Sequence, residues 1–279
     1  MTSASAGKIP ALFVSHGAPT LLLEGGPTVA FLSRLGQELG RPRAVLCVSA
    51  HWESDAAIVS AARQPETIHD FYGFPPALYE MRYDAPGAPQ LAERVRTLLV
   101  DAGIGCAVDP DRGLDHGAWV PMKLMYPACD VPVLQLSVQS RRDPAHHLAV
   151  GRALAPLRDD SVLVLGSGSA IHNLRELQWG GSEPEPWARG FADWLDHAVE
   201  TGARDELLQY RARAAAGARA HPTDEHFLPL FVAMGAGTGG AGTGGAGTGG
   251  AGTGGAGKGR RLHAAFSHRN LGMHAYAWG

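Results

Sequence analysis

The sequence predicts an α/β fold with a functional site at the carboxyl ends of its strands. Three observations carry this reading. Short apolar runs alternate with amphipathic stretches of helical period. Three of the runs close on, or shortly before, a histidine: Ala11–Ser15 before His16, Ala44–Ala50 before His51, and Ser161–Leu165, through a Gly/Ser turn, before His172. The length of 279 residues and the 45% hydrophobic content allow a sizeable core, in one large α/β domain or two small ones. Ligands of open α/β sheets bind just beyond the carboxyl ends of the strands. One strand ending in histidine is ordinary; three suggest a single site on one edge of one sheet.

The elements follow in order. Residues 10–16 read as a strand, Gly17–Thr20 as a turn, and Pro27–Gly40 as a helix with Val29, Leu32 and Leu35 on its apolar face. Arg41-Pro42 ends it before a strand at 43–50, and Ala56–Ser60 is a further strand. Gln64–Pro89 is a long loop rich in proline and aromatics, of the kind that forms lids or binding loops or wraps the surface. Pro89–Asp101 is an amphipathic helix carrying Leu91, Val95, Leu98 and Leu99. Ile104–Val108 is a strand, Gly113–Trp119 a loop opening the helix Val120–Met125, and Val131–Val138 another strand. Pro144–Pro156 is helical; its adjacent His146 and His147 face different directions and carry little functional weight. Pro186–Tyr210 gives one or two helices packed through Trp187, Phe191, Trp194 and Leu195, with His197 a structural residue of that pattern. Thr223 is placed to cap a helix holding His226 in its first turn. Leu262–Phe266 and Met273–Trp278 return to the sheet as closing strands.

Composition narrows the function classes. A formal net charge of -3 and no long basic run give no nucleic-acid or membrane-binding surface. Cys47, Cys106 and Cys129 are scattered and odd in number, which argues against a disulfide framework and for a reducing cytoplasm. Met1–Gly7 lacks an apolar signal core, and no stretch is long and apolar enough for a membrane-spanning helix. Ala236–Gly255 is four copies of Ala-Gly-Thr-Gly-Gly, followed by a decayed fifth. The segment 236–260 is therefore read as a Gly-rich surface loop. Its glycines lack the strand–loop–helix setting of a phosphate-binding motif.

Of 13 histidines, His16, His51, His116, His172 and His226 stand next to turns. Imidazole ligates iron, zinc, copper and nickel. None of the five shows local metal-site spacing, so each reads either as a ligand in a site assembled across the fold or as a histidine satisfied within its turn.

The motifs Ser15-His16-Gly17, Ser49-Ala50-His51-Trp52, Thr67-Ile-His69-Asp-Phe-Tyr72-Gly-Phe-Pro75, Asp115-His116-Gly117, Gly168-Ser-Ala-Ile-His172-Asn173 and Pro222-Thr-Asp-Glu-His226-Phe-Leu-Pro229 occur in that order. Together the set resembles the class III extradiol ring-cleavage dioxygenases, most closely their DOPA 4,5-dioxygenase branch. The resemblance runs from about Pro10 to Met234 and resumes faintly near Ser267–Trp278; the pentapeptide array has no counterpart in it. It implies a single catalytic domain over 1–279, with a central mixed β-sheet flanked by helices and a mononuclear non-haem Fe(II) site at the strand ends, Zn(II) being the alternative metal. It further implies that His16, His51 and His226 are the metal ligands. His172 matches the acid/base position, which also approaches the metal in zinc-loaded forms, and His116 matches a histidine facing substrate and O2. Asp224 and Glu225, beside His226, leave a carboxylate open as third ligand.

The chemistry is consistent with that resemblance. Ring opening of a catechol needs a metal with open positions for the substrate's two oxygens and O2, and a near-neutral histidine to move protons. His69 and Tyr72 are candidate substrate contacts on the aromatic loop; Asn173 and Trp52 are candidates to orient ligands, with packing the simpler role for Trp52. The same histidines would also suit a zinc hydrolase activating water, or a metal-binding relative without turnover.

Overall fold

The computed structural model describes residues 8–178, 183–239 and 257–279. Ten strands occur among them: β1 (Ala11–Ser15), β2 (Ala44–Glu53), β3 (Ala57–Ser60), β4 (Cys106–Asp109), β5 (Val133–Val138), β6 (Val162–Gly168), β7 (Arg260–His263), β8 (Phe266–Ser267), β9 (Leu271–Gly272) and β10 (Ala275–Trp278). Eight form one mixed sheet in the order β4-β3-β5-β2-β6-β1-β10-β7, while β8 and β9 form a small hairpin. The central strands β5, β2, β6 and β1 run parallel. Strands β3 and β10 join them antiparallel on either side.

This topology follows from the residue pattern. The central strands are mostly apolar and buried along nearly their whole length because both faces are covered, as parallel sheets require; their few polar residues, such as Gln135 and Ser167, are buried and hydrogen-bonded. Leu12, Val14, Val45 and Cys47 face the helices Pro27–Leu39 and His116–Met125, in a core with Phe31, Leu32, Trp119 and Met122. Leu46, Val48 and Val164 face the helices Pro89–Asp101 and Pro144–Leu154, in a core with Leu91, Val95, Leu99 and Val150. Phe13 and Tyr276 pack with Phe191, Leu195 and Phe231 beneath the helix Pro186–Thr201.

The helix Leu228–Thr238 is buried from Leu228 through Ala236, which explains a sequence that is hydrophobic all round. It crosses the helix Pro144–Leu154 at very short range. A Cβ placed on Gly235 would meet the carbonyl oxygen of Leu148 at 2.2 Å, and one on Gly151 would meet that of Val232 at 2.1 Å.

Several boundaries differ from the sequence reading. Strand β2 continues through His51 to Glu53, past an irregularity in its pairing with β5. The helix expected from Val120 begins at His116, because Asp115 is its N-cap and accepts from the Ala118 N–H. The long loop contains a short helix, Pro76–Glu80. Thr223 caps no helix: its hydroxyl donates to Glu225, and the next long helix starts only at Leu228. His197 is exposed rather than packed. The helix Leu228–Thr238 takes up the first residues of the predicted Gly-rich loop and β7 its last, and residues 240–256 of that loop lie outside the described residues. No helix among the described residues is long and apolar enough to cross a membrane.

The glycine crossing gives a direct stability test. Gly235→Ala forces a methyl into backbone, so it is expected to destabilise by about 1–3 kcal/mol, the usual cost of overpacking. The more exposed Gly190, with open space around its Cβ position, is the control. Equal urea midpoints for the two alanine variants would show that the crossing tolerates separation.

Candidate metal centre and its cavity

The parallel strands bring three imidazoles to one point. His16 follows β1, His51 lies near the end of β2, and His226 precedes the buried helix. Strand β6 runs between β1 and β2, and its glycines let the His226 segment rest on it: a Cβ on Gly168 would meet the His226 carbonyl oxygen at 2.0 Å. The Ser169 N–H donates to that carbonyl at 2.9 Å.

The Nε2 atoms of His16 and His51 stand 3.0 Å apart, and those of His51 and His226 stand 3.2 Å apart. Each ring is held from its other nitrogen. His226 Nδ1 donates to the Glu225 carboxylate at 2.9 Å. The Asp70 carboxylate lies 3.5 Å from His51 Nδ1. His16 Nδ1 is 3.0 Å from Ser167 Oγ. The Ser167 hydroxyl proton is committed to the Gly117 carbonyl, so its oxygen accepts and His16 Nδ1 donates.

That carbonyl is free for a local reason. Pro121 lies four residues on in the helix and has no N–H to offer it. Pro121 thus frees Gly117, Gly117 engages Ser167, and Ser167 sets the tautomer of His16.

With their protons on Nδ1, the three rings turn Nε2 lone pairs toward one another. Such acceptors cannot hydrogen-bond among themselves. Two nitrogens at right angles on an ion about 2.1 Å away stand about 3.0 Å apart, so the spacing fits a first-row cation. Protonation is also suppressed. Burial first, then the neighbouring imidazoles, holds His16 and His226 well below the ordinary value. Burial, then His116, lowers His51 to about 3. Neutral imidazole is the ligating form.

Two further histidines complete the cluster. His172 stacks on His226, with ring centroids 3.5 Å apart and planes 10° apart, and burial lowers it to about 4. His116 is buried, and its ring Nδ1 and backbone N–H both donate to Asp70 at 2.9 Å. Burial pushes the Asp70 carboxyl up, but the hydrogen bonds from His116 outweigh it and hold it down to about 2. Donor atoms of His16, His51 and His116 all lie within 4.8 Å of one another, as do those of His172, Glu225 and His226. Asp224 is turned away, bound by Tyr210 and Arg211.

The cluster floors a cavity of about 560 Å³ walled by Phe71, Phe74, Leu174, Leu177, Leu271 and Met273. His69 is not in this wall; its ring bonds the Met81 carbonyl and packs against Trp119. Tyr72 is 92% exposed and faces solvent. Their neighbours Phe71 and Phe74 take the wall positions instead. Asn173 caps a short turn and bonds Arg219 and Glu176, not a ligand. Trp52 packs, with Arg112 over its ring. Asp70 and Ser167 carry the ring-orienting contacts that the sequence reading placed on Asn173.

The family model described as the catalytic LigB subunit of aromatic ring-opening dioxygenase matches residues 10–254. The chain belongs to this family. Among its relatives, the 4,5-DOPA dioxygenase extradiol of Beta vulgaris is 46% identical over 228 residues, covering 80% of this chain and 85% of that protein. The protein of the same name from Escherichia coli K12 is 41% identical over 240 residues, covering 84% and 88%. The crystal structure of an uncharacterized Escherichia coli K12 protein superposes with a TM-score of 0.78 at 32% identity, over 97% of this chain and all of that one. This LigB-family chain is an extradiol ring-cleavage dioxygenase, an oxidoreductase, as the ordered motifs implied. The match also decides between the reaction classes that the histidines alone left open.

Two outcomes test the cluster. Asp70→Asn should weaken metal retention about 10–100-fold, the usual effect of losing an outer-sphere partner. Chelator competition measures it, and unchanged retention would mean that Asp70 does not order the ligands. The second concerns acid. Burial holds His221 at about 3 and His172 at about 4, below the 6.5 of the unfolded chain. Below about pH 6.5 the unfolded chain takes up protons that the folded chain refuses. Stability is therefore full above that pH and falls toward the folded values. The urea midpoint of the metal-free protein should drop between about pH 7 and about pH 5; a flat profile would contradict a core of neutral imidazoles.

Proposed function

We propose that this enzyme opens the ring of a catechol, DOPA-like or related, beside its two hydroxyls, using O2 and Fe(II) held by His16, His51 and His226. One observation supports this most: three oriented Nε2 lone pairs share a cavity floor with two further histidines that the ligand set does not need. Bound iron supplies redox chemistry and open coordination positions, whereas Zn(II), which the same nitrogens suit, supplies no redox chemistry.

The chain's own groups handle the protons. With its Nδ1 proton given to Asp70, His116 turns Nε2 out as an acceptor for a catechol hydroxyl proton. His172, kept neutral by burial, is the principal base. The burial that makes His172 hard to protonate also makes its protonated form a ready acid, so the proton returns to the opening ring. Such transfers contribute about 10²–10⁴-fold. The carbon–carbon bond beside the hydroxyl-bearing carbons breaks. Both atoms of O2 remain in the product, one in a carboxyl group and one in an aldehyde, so no external reductant is consumed. The apolar wall keeps bulk water from the reacting carbons.

The test is anaerobic iron loading, then O2 uptake with DOPA, caffeate and protocatechuate, and the appearance of a yellow ring-opened semialdehyde. His16→Ala, His51→Ala and His226→Ala should each lose iron while staying folded. His172→Phe should keep iron and lose at least about 10²-fold in turnover. Iron loss in Glu225→Ala but not in His226→Ala would make the third donor a carboxylate. Iron-loaded protein that takes up no O2 with any catechol would overturn the proposal.

A further inference from the structure

The cavity has an annex. Beside it lies a smaller hollow of about 150 Å³, below the range of about 300–1,000 Å³ that holds whole drug-sized ligands. The two share Thr20, Glu24, His268 and Met273, so a ligand seated over the histidine floor of the first can extend into the second. A catechol with its hydroxyls on the Nε2 atoms directs a substituent at position 4 away from the floor, and the annex is open to the end of that substituent.

The annex differs from the main wall in chemistry. Thr20, Glu24, Ser267 and His268 line it, against the phenylalanines and leucines of the larger space. Glu24 is the one carboxylate on either lining, and no lysine or arginine stands there among the described residues. Thr20 occupies the N-cap of the turn Leu21–Glu24, yet its hydroxyl makes no cap bond. Ser267 Oγ lies 2.7 Å from His268 Nδ1. Two other lining hydroxyls are already engaged. Ser169, in the main cavity, donates to the Ile171 carbonyl at 2.7 Å, and Thr28, in the annex, lies 3.0 Å from His263 Nε2.

The backbone marks His268 as well. His268 and Arg269 hold φ of 50° and 62°, the only adjacent non-glycine pair in the left-handed region among the described residues. Residues with a Cβ are strained there. The turn they form joins β8 to β9 and is held in place. The Asn270 N–H donates to the His268 carbonyl at 2.8 Å, Asn270 Nδ2 donates to the Asn173 carbonyl at 3.1 Å, and Arg269 pairs with Glu185. A glycine at 268 would make the same turn without strain; it would lack the imidazole at the border of the two cavities.

Glu24 attracts an ammonium and repels a lone carboxylate. An imidazole N–H and the hydroxyls of Thr20 and Ser267 are donors for a carboxylate. A headgroup carrying both charges satisfies both sides. We infer that the annex is a headgroup subsite for the α-amino-acid end of a 4-substituted catechol, with Glu24 taking the ammonium and His268, helped by Thr20, the carboxylate. Glu24 and His268 then select among catechols, a role separate from the metal and the bases. This deepens the ring-opening reading and rests on it for the reaction, but selection is a binding property measured apart from turnover.

The experiment uses four ligands: DOPA, 3,4-dihydroxyphenylpropionate without the ammonium, dopamine without the carboxylate, and 4-methylcatechol without a headgroup. Binding to the iron-loaded enzyme is measured by titration calorimetry without O2, and steady-state rates are then measured with O2. DOPA should bind most tightly, with the differences in rate lying in KM rather than kcat. Glu24→Gln should weaken DOPA and dopamine about fivefold, the upper end for an exposed ion pair, and should not weaken the propionate. His268→Gly should weaken DOPA and the propionate at least about tenfold and spare dopamine. Its urea midpoint should stay equal or rise, because the turn loses its strain. 4-Methylcatechol should bind all three proteins alike. Equal wild-type affinity for DOPA, the propionate and 4-methylcatechol overturns the inference. So does an ammonium preference that survives Glu24→Gln, or a carboxylate preference that survives His268→Gly. Loss of all four ligands in His268→Gly with a lowered midpoint would make His268 a structural turn residue and overturn its role. An enzyme that shows the binding pattern but consumes no O2 keeps this inference and removes the dioxygenase reading. One that opens all four rings with equal KM does the reverse.

Discussion

Three imidazole lone pairs facing one another at 3.0 and 3.2 Å are unfavourable without a cation between them, and the surrounding structure serves to hold them so. Free to rotate, the rings would turn a proton inward and satisfy themselves. Each is prevented by a partner on its far nitrogen: Ser167, Asp70 and Glu225. These partners come from β6, from the aromatic loop and from the residue beside His226. The site is therefore as much a property of the fold as of its ligands. Burial adds to the constraint, because it removes the alternative of relieving the crowding by protonation.

The sheet makes this arrangement economical. Parallel neighbours end on the same edge, so consecutive loops deliver their side chains to one place without long excursions. The antiparallel strands β3 and β10 extend the sheet but carry none of the imidazoles that floor the cavity. The aromatic loop has a double part. Asp70 reaches down to His51 and His116, while Phe71 and Phe74 form wall above them. Movement of that loop would change both the shape of the cavity and the orientation of a base.

Much of this was legible in the sequence. Apolar runs ending in histidine located β1 and β2 and the edge on which His16 and His51 lie, because strand direction and burial leave a strong local signature. His226 has no such strand signature; it lies in turns before a helix that starts only at Leu228, so its sequence marks it as one turn-side candidate among five, and the resemblance alone gives it a ligand role. Asp70 and Ser167 carry no such mark, because their partners arrive from distant parts of the chain and nothing beside them in sequence announces the contact. His69 and Tyr72 have the polar chemistry of substrate contacts, but local sequence does not say which way each points. The loop's actual path buries Phe71 and turns Tyr72 outward, and a backbone path through an irregular loop is what local pattern cannot supply.

The proline within the helix His116–Met125 carries a genetic consequence. Any other residue at position 121 restores an N–H, which can reclaim the Gly117 carbonyl within the helix. Ser167 would then be released to turn its proton toward His16, and His16 could flip its own proton onto the nitrogen that faces the cluster. The result would be an epistatic lesion: a defect in the histidine cluster inherited through a helix residue outside it, silent to inspection of the histidines themselves and suppressible by a change at Ser167.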